Sequence, residues 1–285
     1  NSKYKNIFIS KYKIYVSIEF KNFNYFFFLI SQVKSLILMT SNKVFRSEKG
    51  QAMPGPVNAI TPSHFGKINN TEIRWLGGGG IMLNCRGTVV MIDPVLEGFD
   101  MPLLFNPPIN SDQVPHLDGI LITHIDGDHF SVETCKHLLP VCKSYHAPQY
   151  VSQVMNEKGI NGTGHNIDEK FTIGQIQFTL TPTWHNWQND SPDHQYREWK
   201  REDYCGYWID TPDGSIWLPG DSRLLDSHLE MPKPNVILFD FSDNDWHIGL
   251  DNAVKLANTY LESDLICIHW GTVDAHDFSP FNADP

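Results

Sequence analysis

Gly119-Ile-Leu-Ile-Thr123 runs directly into His124-Ile-Asp126-Gly-Asp128-His129, an apolar strand-like segment followed by four potential metal ligands within six residues. A strand over 119–123 alternates its side chains across a sheet, but the loop and first helical turn after it can aim several side chains at one point. Imidazole and carboxylate together suit zinc, iron or manganese, whereas a calcium loop is built almost wholly from oxygens. The competing reading is an exposed polar loop with two unrelated histidines, and so short a motif does not decide between them.

The rest of the chain supplies further ligand types in the same context. Thr179-Leu-Thr-Pro-Thr-Trp184-His185 is a β-rich run ending in histidine. Ser215-Ile-Trp-Leu-Pro-Gly220-Asp221 ends in aspartate and Leu265-Ile-Cys-Ile-His269 in another histidine. Upstream, Thr88-Val-Val-Met-Ile-Asp93 ends in a carboxylate.

With these motifs in this order across residues 70–271, the sequence resembles the metallo-β-lactamase superfamily. Trp75-Leu76-Gly77, the turn Ile92-Asp93-Pro94 and the short chain look most like the branch related to L-ascorbate-6-phosphate lactonase. The resemblance implies an α/β fold, a four-layer αββα sandwich of two sheets between helices. It also implies a binuclear centre in which His124, Asp126 and His185 hold one ion, Asp128, His129 and His269 hold the other, and Asp221 bridges both. Asp93 is then the residue that orients ligands through hydrogen bonds. Asp128 and His247 are the candidate catalytic groups. His247, in Asp243-Asn-Asp245-Trp246-His247, is either a substrate contact or proton donor, or a solvated loop histidine.

One residue departs from the family pattern: the usual second histidine of the motif is Asp126. A carboxylate there makes the first position harder and more anionic, which moves preference from zinc towards manganese or iron. The expected cofactors are two divalent ions, zinc or manganese, with iron open. Di-iron flavoproteins of the superfamily also carry a carboxylate at this place, so a redox enzyme is an alternative, but such enzymes draw electrons from a flavin domain for which this chain has no room.

The implied chemistry is hydrolysis. Two cations about 3.5–4 Å apart bring a shared water close to ionisation at neutral pH and polarise a carbonyl or phosphoryl oxygen. The fold hosts lactonases, thioesterases, phosphodiesterases, β-lactamases and redox enzymes, so it does not name a substrate. A lactone or other small ester is the leading expectation, phosphorylated sugar lactones included, and a phosphodiester is the runner-up. For a phosphorylated ligand the available cations are Arg197, Lys200, Arg201 and Arg223. A catalytically silent scaffold is the alternative from another class, and the complete set of seven ligand positions argues against it.

Composition sets the remaining bounds. A chain of 285 residues with 41% hydrophobic content can bury one sizeable core. We expect an N-terminal extension and linker over 1–59 and one catalytic domain over 60–285. The five cysteines are odd in number and form no Cys-x-x-Cys pair, against a disulfide framework or zinc ribbon and for a reducing, cytoplasmic setting. Residues 1–38 hold six lysines and one glutamate, leaving 16 basic and 32 acidic residues downstream, net −16. A body of that sign repels nucleic-acid backbones, so the expected partner is a small-molecule substrate, with a homo-oligomer open. The apolar stretch 21–30 is interrupted by Gln32 and Lys34, short of the roughly 20 residues of a membrane span. It is also followed by a poor signal-cleavage site. We read residues 1–38 as a translated leader or cloning remnant, with the functional protein starting near Met39.

For local structure, 72–92 reads as a β-meander. Its four glycines, 77–80, form a tight connection and not a phosphate cradle, since no Gly-Lys-Ser/Thr follows. Helices are expected at 131–139 behind a Ser131 cap, at 148–158 and at 251–262. A hairpin is expected over 204–219 around Thr211-Pro-Asp-Gly214. The long connection 94–117 can overhang the site, with Met101, Leu103, Leu104 and Phe105 as contacts, and 186–203 reads as a mobile rim loop. Trp184, Trp246 and Trp270 wall a pocket or fill core. His146, His165, His194 and His276 read as surface histidines.

Overall fold

Alternating burial along the apolar runs builds two sheets. The computed structural model describes residues 45–240 and 244–274 together with two short N-terminal strands, β1 (Lys3–Lys5) and β2 (Ile18–Phe20), which pair antiparallel. The expectations for Asp243, for His276 and for the rest of the leader lie outside the described residues. A two-residue ribbon, β3 (Phe45–Arg46) with β4 (Ala52–Met53), precedes the main body.

The first sheet contains β5 (Thr71–Gly77), β6 (Gly80–Cys85), β7 (Thr88–Ile92), β8 (Gly119–Leu121), β9 (Tyr145–Pro148) and β10 (Gly162–His165), paired in sequence order. Its first three strands are antiparallel and the pairs from β7 onward parallel. The second sheet holds β11 (Lys170–Ile173), β12 (Ile176–Thr181), β13 (Gly206–Thr211), β14 (Gly214–Leu218), β15 (Val236–Asp240) and β16 (Asp264–Ile268) in the same kind of order. There too antiparallel pairs give way to parallel ones, at β14 and β15.

Strands buried on both faces read as unbroken apolar runs, and the two-residue period decides which layer each side chain enters. On β7, Val90 and Ile92 face the second sheet while Val89 and Met91 face helices α1 (Val132–Leu138) and α2 (Gln149–Glu157). On β15, Val236 and Leu238 point inward, and Ile237 and Phe239 meet α3 (Leu250–Thr259). Helix, sheet, sheet, helix is therefore the order of layers, as expected. Each fully buried aliphatic side chain contributes about 1.5–3 kcal/mol, so the strands form a rigid frame for the loops leaving their ends.

The meander, the hairpin and the three helices form where the sequence places them, and Ser131 Oγ caps α1 by accepting from Thr134 N at 3.0 Å. Other readings are corrected. Strand β8 stops at Leu121 because the Thr123 N–H donates to Asp93 Oδ1 at 2.7 Å, so a carboxylate replaces the ladder partner. Segment 186–203 is not a loose rim loop but three 3-10 turns, Trp187–Asp190, Pro192–His194 and Arg201–Asp203, over a buried Trp199. His165 is not a surface residue. It is 5% exposed, bridges Glu169 at 2.8 Å and His146 at 3.0 Å, and stacks with His146 on Phe171. Burial beside His165 pushes the half-buried His146 imidazole down to about 4.

Candidate metal centre

Six strand ends point to one edge of the sandwich. Asp93 follows β7, His124 lies three residues past β8, His185 four past β12, Asp221 three past β14, Asp240 ends β15 and His269 follows β16. Carboxyl ends of strands are where open α/β sheets gather ligand groups. Two of these residues sit in the left-handed region without being glycine, Asp93 at φ 47° and His269 at φ 60°. Such backbone persists only where neighbours over-determine it, here a His269 N–H bond to Gly78 O at 2.8 Å and an Asp93 N–H bond to Leu121 O at 2.9 Å. The glycine turn is needed for the site itself, since a Cβ on Gly79 would lie 2.5 Å from His129 Cε1.

Five imidazoles close a ring. His124 to His129 is 4.2 Å between centroids, His129 to His269 5.1 Å, His269 to His247 5.3 Å, His247 to His185 4.6 Å and His185 to His124 5.2 Å. Asp221 Oδ2 lies inside, 2.9 Å from His129 Nε2, 3.1 Å from His247 Nε2 and 3.3 Å from His269 Nε2. Asp126 Oδ2 is 3.3 Å from His124 Nε2 and 3.2 Å from His185 Nε2, and Asp128 Oδ2 is 3.1 Å from His269 Nε2. All seven expected ligands, together with His247, thus converge.

The outer faces of the rings set their tautomers, assigned from their partners. His129 Nδ1 donates to Asp93 Oδ2 at 2.8 Å, His124 Nδ1 to Thr123 Oγ1 at 2.9 Å, His185 Nδ1 to Trp246 O at 3.0 Å and His247 Nδ1 to Asn244 Oδ1 at 2.8 Å. His269 Nδ1 faces Asp240 Oδ1 at 3.4 Å. Thr123 Oγ1 can accept from His124 because its own proton goes to Asp93 Oδ2 at 2.6 Å. With Nδ1–H directed outward, Nε2 is the nitrogen each ring turns inward. His124 Nε2 and His129 Nε2 are buried and make no hydrogen bond. Two donors about 2.1 Å from one ion stand roughly 3.0–3.4 Å apart, which is the spacing found here, so the residues fit divalent cations.

The matching of family sequence profiles decides the identity: the beta-lactamase superfamily domain matches residues 88–270, a span that holds the whole ring. The chain belongs to the metallo-β-lactamase superfamily.

Within the superfamily it is a metal-dependent hydrolase. It is 24% identical over 249 residues to an N-acyl-phosphatidylethanolamine-hydrolyzing phospholipase D of Caenorhabditis elegans, covering 76% of this chain and 68% of the relative. A metal-dependent hydrolase of Archaeoglobus fulgidus is 27% identical over 209 residues, 70% of this chain and 84% of that one. Igni18, a metallo hydrolase of Ignicoccus hospitalis, shares the fold with a TM-score of 0.58 at 17% identity, over 75% of this chain and 86% of that one.

Electrostatics in this superfamily member follow from packing acids and imidazoles together out of water. Burial opposes ionisation of Asp126, Asp128 and Asp221, but the adjoining imidazoles overcome it. Asp126 and Asp221 are held well below the usual carboxylate range and Asp128 at about 2. Burial likewise disfavours the charged forms of His129, His269 and His185, yet the carboxylates around them raise all three, the first two strongly. A cluster that holds protons so tightly is one that attracts cations.

Several site residues escaped the sequence reading. Asp240 ends the apolar run Val236-Ile-Leu-Phe-Asp240, the same signal that marked its neighbours. Trp187 and Gln188 carried no signal, yet Trp187 Nε1 donates to Asp126 Oδ2 at 2.6 Å and Gln188 Nε2 to Asp126 Oδ1 at 2.5 Å, with Tyr204 OH donating to Gln188 Oε1 at 2.6 Å. Of the tryptophans, Trp184 and Trp246 are half-buried, while Trp270 stacks on Trp75, which stacks on Phe105. The half-buried Met101, Leu103, Leu104 and Phe105 stretch is tied alongside the last strand by Leu104 N–H to Thr272 O at 2.8 Å. Arg197 is engaged in a two-pronged pair with Asp203 and lies over the Tyr150 ring, so it is not a free phosphate contact. Arg223 stays near the ring: its backbone N–H bonds Trp184 O at 3.0 Å, and its side chain donates to Asp245 O and Asn186 Oδ1.

Among the described residues, no helix is long and apolar enough to cross a membrane.

Proposed function

We propose that this protein is a two-metal hydrolase in which His124, Asp126 and His185 hold one ion, Asp128, His129 and His269 hold a second, and Asp221 is shared. Zinc or manganese suits this mixture of nitrogen and oxygen donors. The observation that carries the reading is the convergence of inward Nε2 lone pairs on buried carboxylates, with two of those nitrogens lacking any hydrogen-bond partner. When bound, such ions supply Lewis acidity at the scissile group and lower the pKa of an attacking water.

The chain's own residues supply the rest. Asp93 and Thr123 lock two imidazoles in the tautomer that a ligand needs, as outer partners of metal-bound histidines do. Asp128 is the most exposed of the inward carboxylates, 26% against 12% for Asp126 and 5% for Asp221, so it faces the side from which substrate arrives. There it would help to hold an ion and would accept a hydrogen bond from an attacking water. Arg223 places a guanidinium beside the loop of His185, where it can meet an anionic group.

A phosphodiester is the substrate class we favour. The likeness to a phospholipase D supports it, as does the position of Arg223 beside the His185 loop. A small ester or lactone, the class the Trp75-Leu76-Gly77 and Ile92-Asp93-Pro94 resemblance implies, is the second reading. The test is hydrolysis of bis-p-nitrophenyl phosphate and of a lactone panel after reconstitution with zinc, manganese or iron, with metal content measured on the same samples. Metal-dependent turnover of the phosphodiester is expected. Turnover of lactones alone would transfer the assignment to the second reading, and no turnover with any metal would leave a silent scaffold.

A further inference from the structure

We propose that His247 is itself a metal ligand, an imidazole that joins Asp221, Asp240 and His269. This rests on the two-metal reading and deepens it.

Three observations carry the assignment. First, His247 closes the ring: without it the circuit would be open between His185 and His269, the neighbours at 4.6 and 5.3 Å. The loop after β15 thus returns an imidazole to a centre whose motif carries a carboxylate in place of its second histidine. Second, Asp126 is drawn outward. Each of its oxygens accepts a short hydrogen bond, from Trp187 and from Gln188, so both are shared with donors outside the ring.

Third, the orientation of His247 leaves Nε2 little else to do. Asn244 Oδ1 accepts from the backbone N–H groups of Trp246 at 3.0 Å and of His247 at 3.2 Å, which fixes that atom as the amide oxygen and not the nitrogen. The same oxygen faces His247 Nδ1 at 2.8 Å, so Nδ1 is the donor and Nε2 is the nitrogen turned towards the carboxylates of the centre. Nε2 stands 3.1 Å from Asp221 Oδ2, with a side chain only 8% exposed. The ligand atoms of His247, Asp221, Asp240 and His269 all lie within 4.8 Å of one another and all four residues are buried, a set that can hold a metal ion. A surface histidine would show neither the burial nor the Asx turn that aims it. A ring held this way turns Nε2 to the buried ligand cluster and away from solvent.

The test is proton NMR of the full chain loaded with cobalt(II), which shifts the outward Nδ1–H resonances of ligating imidazoles far from the diamagnetic range. Five exchangeable shifted signals are expected in the wild type, one each from His124, His129, His185, His247 and His269. His247→Gln should show four, and its cobalt affinity should fall by about 10- to 100-fold, the scale seen when metal-site support is lost. Four signals in the wild type, or five that survive in His247→Gln with unchanged affinity, would overturn the assignment. The wild-type count stands even if the variant does not fold. Failure of the wild type to bind cobalt at all would instead remove the two-metal reading beneath it.

Discussion

The two sheets contribute equally to the site by different routes. The first sheet brings Asp93 from one strand end and His124, Asp126, Asp128 and His129 from a single loop. The second brings His185, Asp221, Asp240, His247 and His269 from the connections after four separate strands. A ligand loop is held mostly by local geometry, whereas dispersed ligands hold position only if four strands keep their register. The second half of the site therefore depends on the sheet core, and the first on the hydrogen bonds that anchor one loop.

The largest expected effect is at the contact between halves. Asp221 comes from the second sheet but lies 2.9 Å from His129 of the first. Asp221→Ala should release both ions and lower kcat/KM by at least about 10³-fold, ~4 kcal/mol of transition-state stabilisation. Elemental analysis and steady-state hydrolysis check this, and retention of either ion would mean that the halves bind metal independently.

Asp93→Asn tests the anchoring of the ligand loop. It removes the charge that holds His129 and Thr123 while keeping the shape of the side chain. Metal affinity should drop about 10- to 100-fold, read by competition with a chelating dye, with the circular dichroism spectrum unchanged.

A metal-free protein should reveal the electrostatic cost of bringing the halves together. His129, His269 and His185 are raised in the fold, so their contribution is complete below the ordinary histidine value of about 6.5 and is lost as pH rises through the raised values. Asp126, Asp128 and Asp221 are lowered, so theirs is present above about 3.9 and is lost as pH falls through the native values, about 2 for Asp128. The melting temperature without metal should peak between those limits and decline above neutrality, at about 2–4 °C per kcal/mol lost. With metal bound, cations replace protons and the decline should disappear. A metal-free melting temperature that rises steadily above neutrality would contradict the shifts.

Trp187→Phe should produce the smallest change. It deletes one donor to Asp126 and leaves Gln188, so metal affinity should weaken about threefold to tenfold, ~1 kcal/mol. No change by isothermal titration would show that the 187–190 turn only covers the first half and does not support it.

Legibility differed between the halves for the same physical reason. Four ligands in six residues are visible without any fold, and each single ligand of the second sheet was visible because it ends an apolar run. Asp240 obeyed that rule and was passed over in favour of its downstream neighbour His247. Strands β9, β10 and β11 were missed because each is only four residues long, and Gly162-Thr-Gly-His165 in addition shows no alternation of apolar and polar groups. Their pairing comes from neighbouring strands and from α2 packed against them. Trp187 and Gln188 sit in a polar segment where composition predicts mobility, and only the buried carboxylate they reach explains their order.

Residue order by itself marked the apolar strands and the ligand-type side chains at their ends, because burial on a two-residue period and strand-end chemistry are local properties of the chain, and the layering followed from the family resemblance those motifs carry. Tertiary structure alone decided that His247 completes a ring, that Asp126 is gripped from a loop about 60 residues away, and which nitrogen of each imidazole faces inward. Those outcomes depend on hydrogen-bond partners brought together from distant segments, whose pairing no single stretch of sequence encodes.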